Sequence, residues 1–96
     1  MTRSITLLTF TEQGAKNLKK SPARARQFTQ LAAKSGVKVK SQFWTIGRFD
    51  GLLILEADDE SQILAALTKL ASLGNVKTET LAALTDREFE ALVNGR

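Results

Sequence analysis

The chain has 96 residues, 43% of them hydrophobic and 25% charged, which predicts a single small globular domain over residues 1–96. Because cysteine, histidine and tyrosine are absent, disulfides and thiol chemistry are excluded, no metal or cofactor is expected, and any proton transfer must use carboxylates, lysine or water. The net charge of +4 is divided unevenly, since ten of the 14 Lys and Arg residues precede Phe49 and nine of the 10 acidic residues follow Arg48.

The first third of the chain predicts a strand followed by a helix. Residues 4–10, SITLLTF, are β-branched and apolar, which is typical of a strand. Ser21 is expected to cap a helix that has Pro22 in its first turn. Gly36 is expected to end that helix, because glycine readily takes the left-handed conformation found after helix C-termini.

Side-chain alternation predicts two antiparallel strands in the middle of the chain. Residues 37–46 form the first of them and residues 51–57 the second. The link GRFDG between them is too short for a crossover, so the two strands must be antiparallel. Alternation places Val37, Val39 and Phe43 on one face of residues 37–46, and Lys38, Lys40, Gln42 and Trp44 on the other.

The remaining residues predict a helix, a strand and a short final helix. Acidic residues 58–60 suit a helix N-terminus, and Gly74 ends that helix. Residues 76–84 predict a fourth strand, and the sequence TDRE from Thr85 has the form of a capping box for a helix that reaches about Val93. The order β-α-β-β-α-β predicts an α+β ferredoxin-like sandwich with its first two helices on one face of the sheet.

Both faces of the predicted sheet carry apolar side chains. Leu52 and Ile54 lie on one face of their strand, and the leucines beside them lie on the other. Four short strands present about 300 Å² of flat surface, and monomers rarely expose an apolar patch beyond a few hundred Å². We therefore expect a homodimer, or a higher homo-oligomer, that pairs these faces. The alternative is that the C-terminal helix folds back over the sheet.

Three stretches resemble the GYD-domain family over residues 4–84: VKVKSQFWTIGRFDGLLILEADDE, SLGNVKTETL and NLKKSPARARQF. The resemblance implies a ferredoxin-like chain that assembles as a dimeric α+β barrel. Proteins that share this barrel include cofactor-independent oxygenases, isomerases of small ring compounds and ligand-sensing domains. The family's name-giving motif falls on residues 47–50, where Phe49 replaces the expected tyrosine. A chemical role of that hydroxyl would be lost here, whereas a packing role of the ring would be kept.

Five residues are candidates to line a small-molecule pocket on the uncovered face: Gln42, Trp44, Asp50, Glu56 and Glu79. The three carboxylates among them are also the candidates for a catalytic base, since a buried carboxylate has a raised pKa. Each candidate has a structural alternative. Asp50 is in a turn, where aspartate commonly binds nearby backbone, Trp44 suits the core of an interface, and the two glutamates suit solvated positions.

Two functions stay open. One is a homodimer that binds a small apolar or aromatic molecule, with or without cofactor-independent chemistry; the other is a non-catalytic sensor or assembly module whose sheet face only mediates oligomerisation. Nucleic acid is not expected as a partner, because the strand GLLILEA lacks the aromatic residues that RNA-binding domains of this topology use to stack bases. No apolar run approaches the roughly 20 residues of a membrane span, and no signal-peptide cleavage site is evident, so we expect a cytoplasmic protein.

Overall fold

The computed structural model describes residues 1–95, and in it a four-stranded antiparallel sheet carries two long helices on one face. The strands are β1 (Thr2–Phe10), β2 (Lys38–Trp44), β3 (Gly51–Ala57) and β4 (Val76–Ala82). The helices are α1 (Glu12–Lys16), α2 (Ser21–Lys34), α3 (Glu60–Ser72) and α4 (Asp86–Val93), with a 3-10 turn at Leu18–Lys20. The strand order β2-β3-β1-β4 is that of the ferredoxin-like sandwich, so the predicted fold is confirmed.

The hydrophobic core lies between the sheet and the two helices α2 and α3. Its buried members are Phe28, Ala32, Val37, Leu53, Leu55, Ala57, Ile63, Ala66 and Leu67. On β3 every second residue is buried, which is the period expected of a strand with one face against helices. We call this side of the sheet the covered face.

The ends of the helices follow the predicted signals with one exception. Gly36 and Gly74 take φ angles of 81° and 80° just beyond α2 and α3, as expected of helix-terminating glycines. Thr85 and Glu88 form the predicted capping box of α4. Ser21 was expected to cap α2, but it is the first residue of the helix, and no side chain caps that end.

Strand β2 contains a bulge that changes which side chains face the helices. The pairing with β3 shifts between Val39 and Ser41, and one extra residue in a strand moves every later side chain to the opposite face. Gln42 pairs with Leu53, and Trp44 pairs with Gly51. Gln42 and Trp44 therefore lie on the covered face. Their predicted place on the uncovered face was wrong, because simple alternation assumes a strand without a bulge.

The other side of the sheet, which we call the open face, is organised in rows across the strands. One row is Phe43, Leu52, Leu7 and Glu79, and the next is Ser41, Ile54, Ile5 and Leu81. A charged row, Lys38, Glu56 and Arg3, borders them at one end. Within residues 1–95, α4 does not cover these rows, because its own apolar side chains are exposed: Phe89, Leu92 and Val93.

Candidate functional site

A cavity of about 70 Å³ lies between one end of the covered face and the helices α2 and α3. Its apolar lining includes Leu8, Phe10, Ala25, Phe28, Leu53, Leu70 and Val76, and its polar lining includes Ser21, Arg24, Gln42, Trp44, Asp50 and Asn75. Three of the five predicted site residues, Gln42, Trp44 and Asp50, therefore meet at one place. Glu56 and Glu79 lie on the open face, so the structure does not bring the five together.

Trp44 and Gln42 connect β2 to helix α2. The indole Nε1 of Trp44 donates a hydrogen bond of 2.9 Å to Ser21 Oγ in the first turn of the helix. The amide Nε2 of Gln42 donates to Thr29 Oγ1, also at 2.9 Å. Trp44 remains 53% exposed, so its ring lies at the mouth of the cavity, with one edge against the helix and one toward solvent.

Asp50 ties the β2–β3 loop to the end of β1. Its backbone N–H donates to the Leu8 carbonyl at 2.8 Å, and its Oδ2 accepts from the Phe10 backbone N–H at 2.8 Å. This is the structural alternative that aspartate in a turn suggests. The carboxylate therefore has a structural role, since it joins the loop to the end of β1.

The neighbouring residues of the same loop are held by packing and backbone bonds. Thr45 donates through Oγ1 to the Phe49 carbonyl at 2.6 Å and through its N–H to the Asp50 carbonyl at 3.0 Å. The guanidinium of Arg48 lies over the Phe49 ring, 5.5 Å from its centroid. The ring at the family's tyrosine position is thus half-buried and in contact with a cation, which is a packing role that needs no hydroxyl.

Glu56 belongs to an ion-pair network at the end of the open face. Its Oε2 accepts from Arg3 Nε at 3.2 Å, and the same arginine donates through Nη1 to Glu88 Oε1 at 2.6 Å. The hydrogen bond to Glu88, followed by the one to Glu56, raises the pKa of Arg3. The pKa of Glu88 is lowered, first by the Thr85 backbone N–H and then by Arg3. Glu56 therefore serves as an ion-pair partner that helps to fix the start of α4.

Glu79 stands apart from these groups. It lies on the edge strand β4, is exposed, and pairs across the sheet with Leu7.

Among residues 1–95 no cluster of three or more acidic side chains is arranged to hold a metal ion. In the same described part of the chain no helix is both long and apolar enough to cross a membrane.

Sequence reasoning missed most of the residues around the cavity. Ser21 was expected only as a helix cap, and Phe28 was not selected as a site residue. Both line the cavity because α2 packs beside the end of β2 that carries Gln42 and Trp44, as the hydrogen bonds of these two side chains to α2 show. The bulge leaves no clear signal in the alternation of residues 37–46, so the sequence offered no direct route to this site.

Comparison with known proteins identifies the family. A family model described as "GYD domain" matches residues 5–93. The chain belongs to the GYD-domain family. A protein of Thermus thermophilus is 40% identical over 81 residues, which is 83% of this chain and 85% of the relative. That protein is named "Glutamine synthetase and cystathionine beta-lyase binding protein".

Two solved structures share the fold of this GYD domain. FFRP-DM1 has a TM-score of 0.61 and 19% identity, and the match covers 88% of this chain and 100% of that one. The protein TTHA0845 of Thermus thermophilus has a TM-score of 0.58 and 20% identity, over 88% and 95% of the two chains. At these identities the likeness supports the fold alone.

Proposed function

We propose that this GYD-domain chain is a non-catalytic binding protein that pairs with a second copy through its open face and docks as a homodimer on a metabolic enzyme. The observation that carries the proposal is the uncovered apolar surface. Ile5, Leu7, Leu52 and Ile54 are contiguous in two rows and remain half-exposed, with Phe43 and Leu81 more exposed beside them. Surfaces of this kind on small proteins mark interaction sites.

A second copy is the occupant that best fits the open face. A two-fold axis through the sheet would place the apolar rows of one chain on those of the other, as in a self-complementary interface. A standard interface buries about 800 Å² on each partner, more than the roughly 300 Å² of flat sheet. The exposed apolar side chains of α4 adjoin this face through Arg3 and would supply additional area.

A non-catalytic role agrees with the hydrogen bonds that two of the candidate bases, Asp50 and Glu56, make within the chain. Asp50 accepts a backbone hydrogen bond, and Glu56 accepts one from Arg3. Each carboxylate therefore already has a structural role in the folded chain, so neither position needs a catalytic function to explain it. Both groups instead stabilise the loop and the ion-pair network that shape the chain's surface.

The partner enzyme is proposed from the Thermus relative, whose name specifies glutamine synthetase and cystathionine β-lyase. In a dimer paired through the open face, helix α2 and the turn before it would face outward. This basic segment, residues 16–34, carries Lys16, Lys19, Lys20, Arg24, Arg26 and Lys34 and no acidic residue. It would attract an acidic enzyme surface and accelerate association. We place this encounter in the cytoplasm.

Binding measurements with purified enzymes test the proposal. The wild-type chain is titrated onto immobilised glutamine synthetase and cystathionine β-lyase, and we expect saturable binding to at least one of them. Lys19→Glu/Lys20→Glu should weaken binding by about tenfold and leave the dimer intact, since rim charges govern attraction more than folding. Lys69→Glu, which changes an exposed lysine on α3 outside the basic segment, is the matched control. Absence of wild-type binding to both enzymes would sink the proposed function.

A second candidate function is small-molecule binding on the open face, which two paired sheets would enclose. It is favoured by the position of Glu79, which ends the apolar row of Leu7, Leu52 and Phe43. One polar group beside apolar walls is the usual composition of a ligand site. A Glu79→Gln variant that dimerises normally and loses affinity for a co-purified ligand would support it, and the same ligand affinity in both proteins would contradict it.

A further inference from the structure

We propose that the cavity on the covered face is a binding site for a neutral, single-ring aromatic molecule, with Trp44 as its lid. This site is separate from the open face, although Ser21, Arg24 and Ala25 of the basic segment contribute to its lining. It would function whether or not the chain docks on an enzyme.

The size of the cavity sets the size of the guest. Its volume of about 70 Å³ is several times the roughly 10–15 Å³ that one water requires. It is also far below the roughly 300–1,000 Å³ of sites that hold drug-sized ligands. It is also about half of the roughly 150 Å³ that holds benzene in an engineered core cavity, so a single ring would fill the space and extend into the open mouth.

The interior of the cavity is lined mostly by apolar side chains, which favours an apolar guest. Phe28 and Leu53 are buried at its floor, and Leu8, Phe10 and Leu70 complete the walls. A mostly apolar lining with a few polar groups at the mouth is the usual composition of a small-molecule site. Phe10, Phe28 and Trp44 offer three aromatic rings, and aromatic pairs prefer offset or edge-to-face packing that a flat guest can adopt.

The mouth holds one charged group of each sign, Arg24 and Asp50, and both already make hydrogen bonds within the chain. This arrangement disfavours a charged guest. Arg24 donates through Nη2 to the carbonyls of Gly14 at 3.3 Å and Asn17 at 3.1 Å. Asp50 accepts from the Phe10 N–H at 2.8 Å. Both groups keep their charge, so an ion of either sign would meet one like charge at the mouth, and its burial in the apolar interior would carry a high desolvation cost.

One neutral polar group at the mouth is suited to a guest with a single hydroxyl. Gln42 uses its amide nitrogen toward Thr29, and its carbonyl oxygen can accept a further hydrogen bond. A phenol could place its ring against the aromatic walls and its hydroxyl toward this oxygen. The site should therefore bind a phenol at least as well as the corresponding hydrocarbon.

Trp44 is positioned to control access. Its exposed ring is attached to α2 by the single hydrogen bond to Ser21 Oγ. A rotation that breaks this bond would uncover the mouth without disturbing the backbone pairing of β2. Because Trp44 is the chain's only tryptophan, its fluorescence reports directly on this movement.

The experiment is a fluorescence titration of the full chain with toluene, p-cresol and benzoate. We expect saturable changes in Trp44 emission with toluene and p-cresol, and binding of benzoate that is weaker by about tenfold or more because of its charge. Ala25→Leu fills the cavity from α2 and should weaken p-cresol binding by about tenfold. Ala33→Leu makes the same change on the exposed side of α2 and should leave binding unchanged. Equal binding to both variants would overturn the proposal.

Methyl NMR of the wild-type chain keeps the test decisive if Ala25→Leu fails to fold. Saturating p-cresol should shift the methyl signals of Leu8, Leu53 and Leu70 on the covered face. The methyl signals of Ile5, Ile54 and Leu81 on the open face should move little. Shifts confined to the open face, or no shift anywhere, would contradict the assignment of the site.

Discussion

The two faces of strand β3 differ in burial although their side chains are almost the same. Leu53 and Leu55 on the covered face are 4% and 0% exposed. Leu52 and Ile54, which alternate with them, are only half-buried. Hydrophobicity alone therefore does not decide which residues form the core. Within residues 1–95, α2 and α3 cover one face of the sheet and the other face stays half-exposed.

The helices show the same contrast. Helix α3 buries Ile63, Ala66 and Leu67 against the covered face. Helix α4 is equally well capped, yet Phe89, Leu92 and Val93 are exposed. Capping and periodicity explain why both segments are helical. Burial requires a surface to pack against, and within residues 1–95 only α3 has one.

The largest expected effect comes from removing a side chain on the covered face. Leu55→Ala leaves a cavity in the core and should lower the free energy of unfolding by about 2–5 kcal/mol. Ile54→Ala, one residue away on the open face, should cost about 1 kcal/mol, because that side chain keeps much of its exposure in the single chain. Urea denaturation at concentrations low enough to dissociate any dimer measures both values. Equal losses would break the contrast between the faces.

A smaller effect on stability is expected at the β2–β3 loop, which joins the two strands at one end of the sheet. Asp50→Ala removes the acceptor of the Phe10 backbone N–H and should cost about 1–3 kcal/mol, the usual penalty for an unsatisfied buried donor. Asp50→Asn keeps an oxygen at this position and should recover most of the loss. Thermal unfolding of the two variants checks this. An Asp50→Ala protein as stable as the wild type would show that the bond does not hold the loop.

The smallest expected effect concerns the charged row that borders the open face. The folded-state pKa of Glu88 lies below its ordinary value of 4.5, so the stability that its carboxylate contributes is present above about pH 4.5 and is lost as pH falls below that value. Glu88→Gln should therefore lower the melting temperature slightly at neutral pH, and the difference from wild type should vanish in acid. Glu90→Gln, an exposed change on the same helix, is the control for the loss of one negative charge.

The fold was predictable because its signals are local. Gly36 and Gly74 end helices, the TDRE box begins α4, and the short GRFDG link forces β2 and β3 to be antiparallel. The family resemblance rested on the same stretches and is confirmed over residues 5–93. The apolar character of the open face was also evident from the pairs of large residues in adjacent positions, such as Leu52 and Leu53.

The candidate site was predicted only in part. Trp44, Gln42 and Asp50 line one cavity, but the bulge after Val39 places the first two on the covered face rather than on the predicted open face. The alternation of side chains does not reveal an inserted residue here, because Lys40 and its neighbours could lie on either face of the sheet. The contributions of Ser21 and Arg24 depend on how α2 crosses the sheet, which is a property of tertiary packing.

Sedimentation equilibrium of the wild-type chain and of Ile54→Lys, at micromolar concentration, tests the central claim most directly. If the open face pairs with its own copy, the wild-type chain sediments with twice the mass of one chain, and the lysine variant sediments as a folded single chain. A wild-type protein that stays a single chain under these conditions would contradict the account.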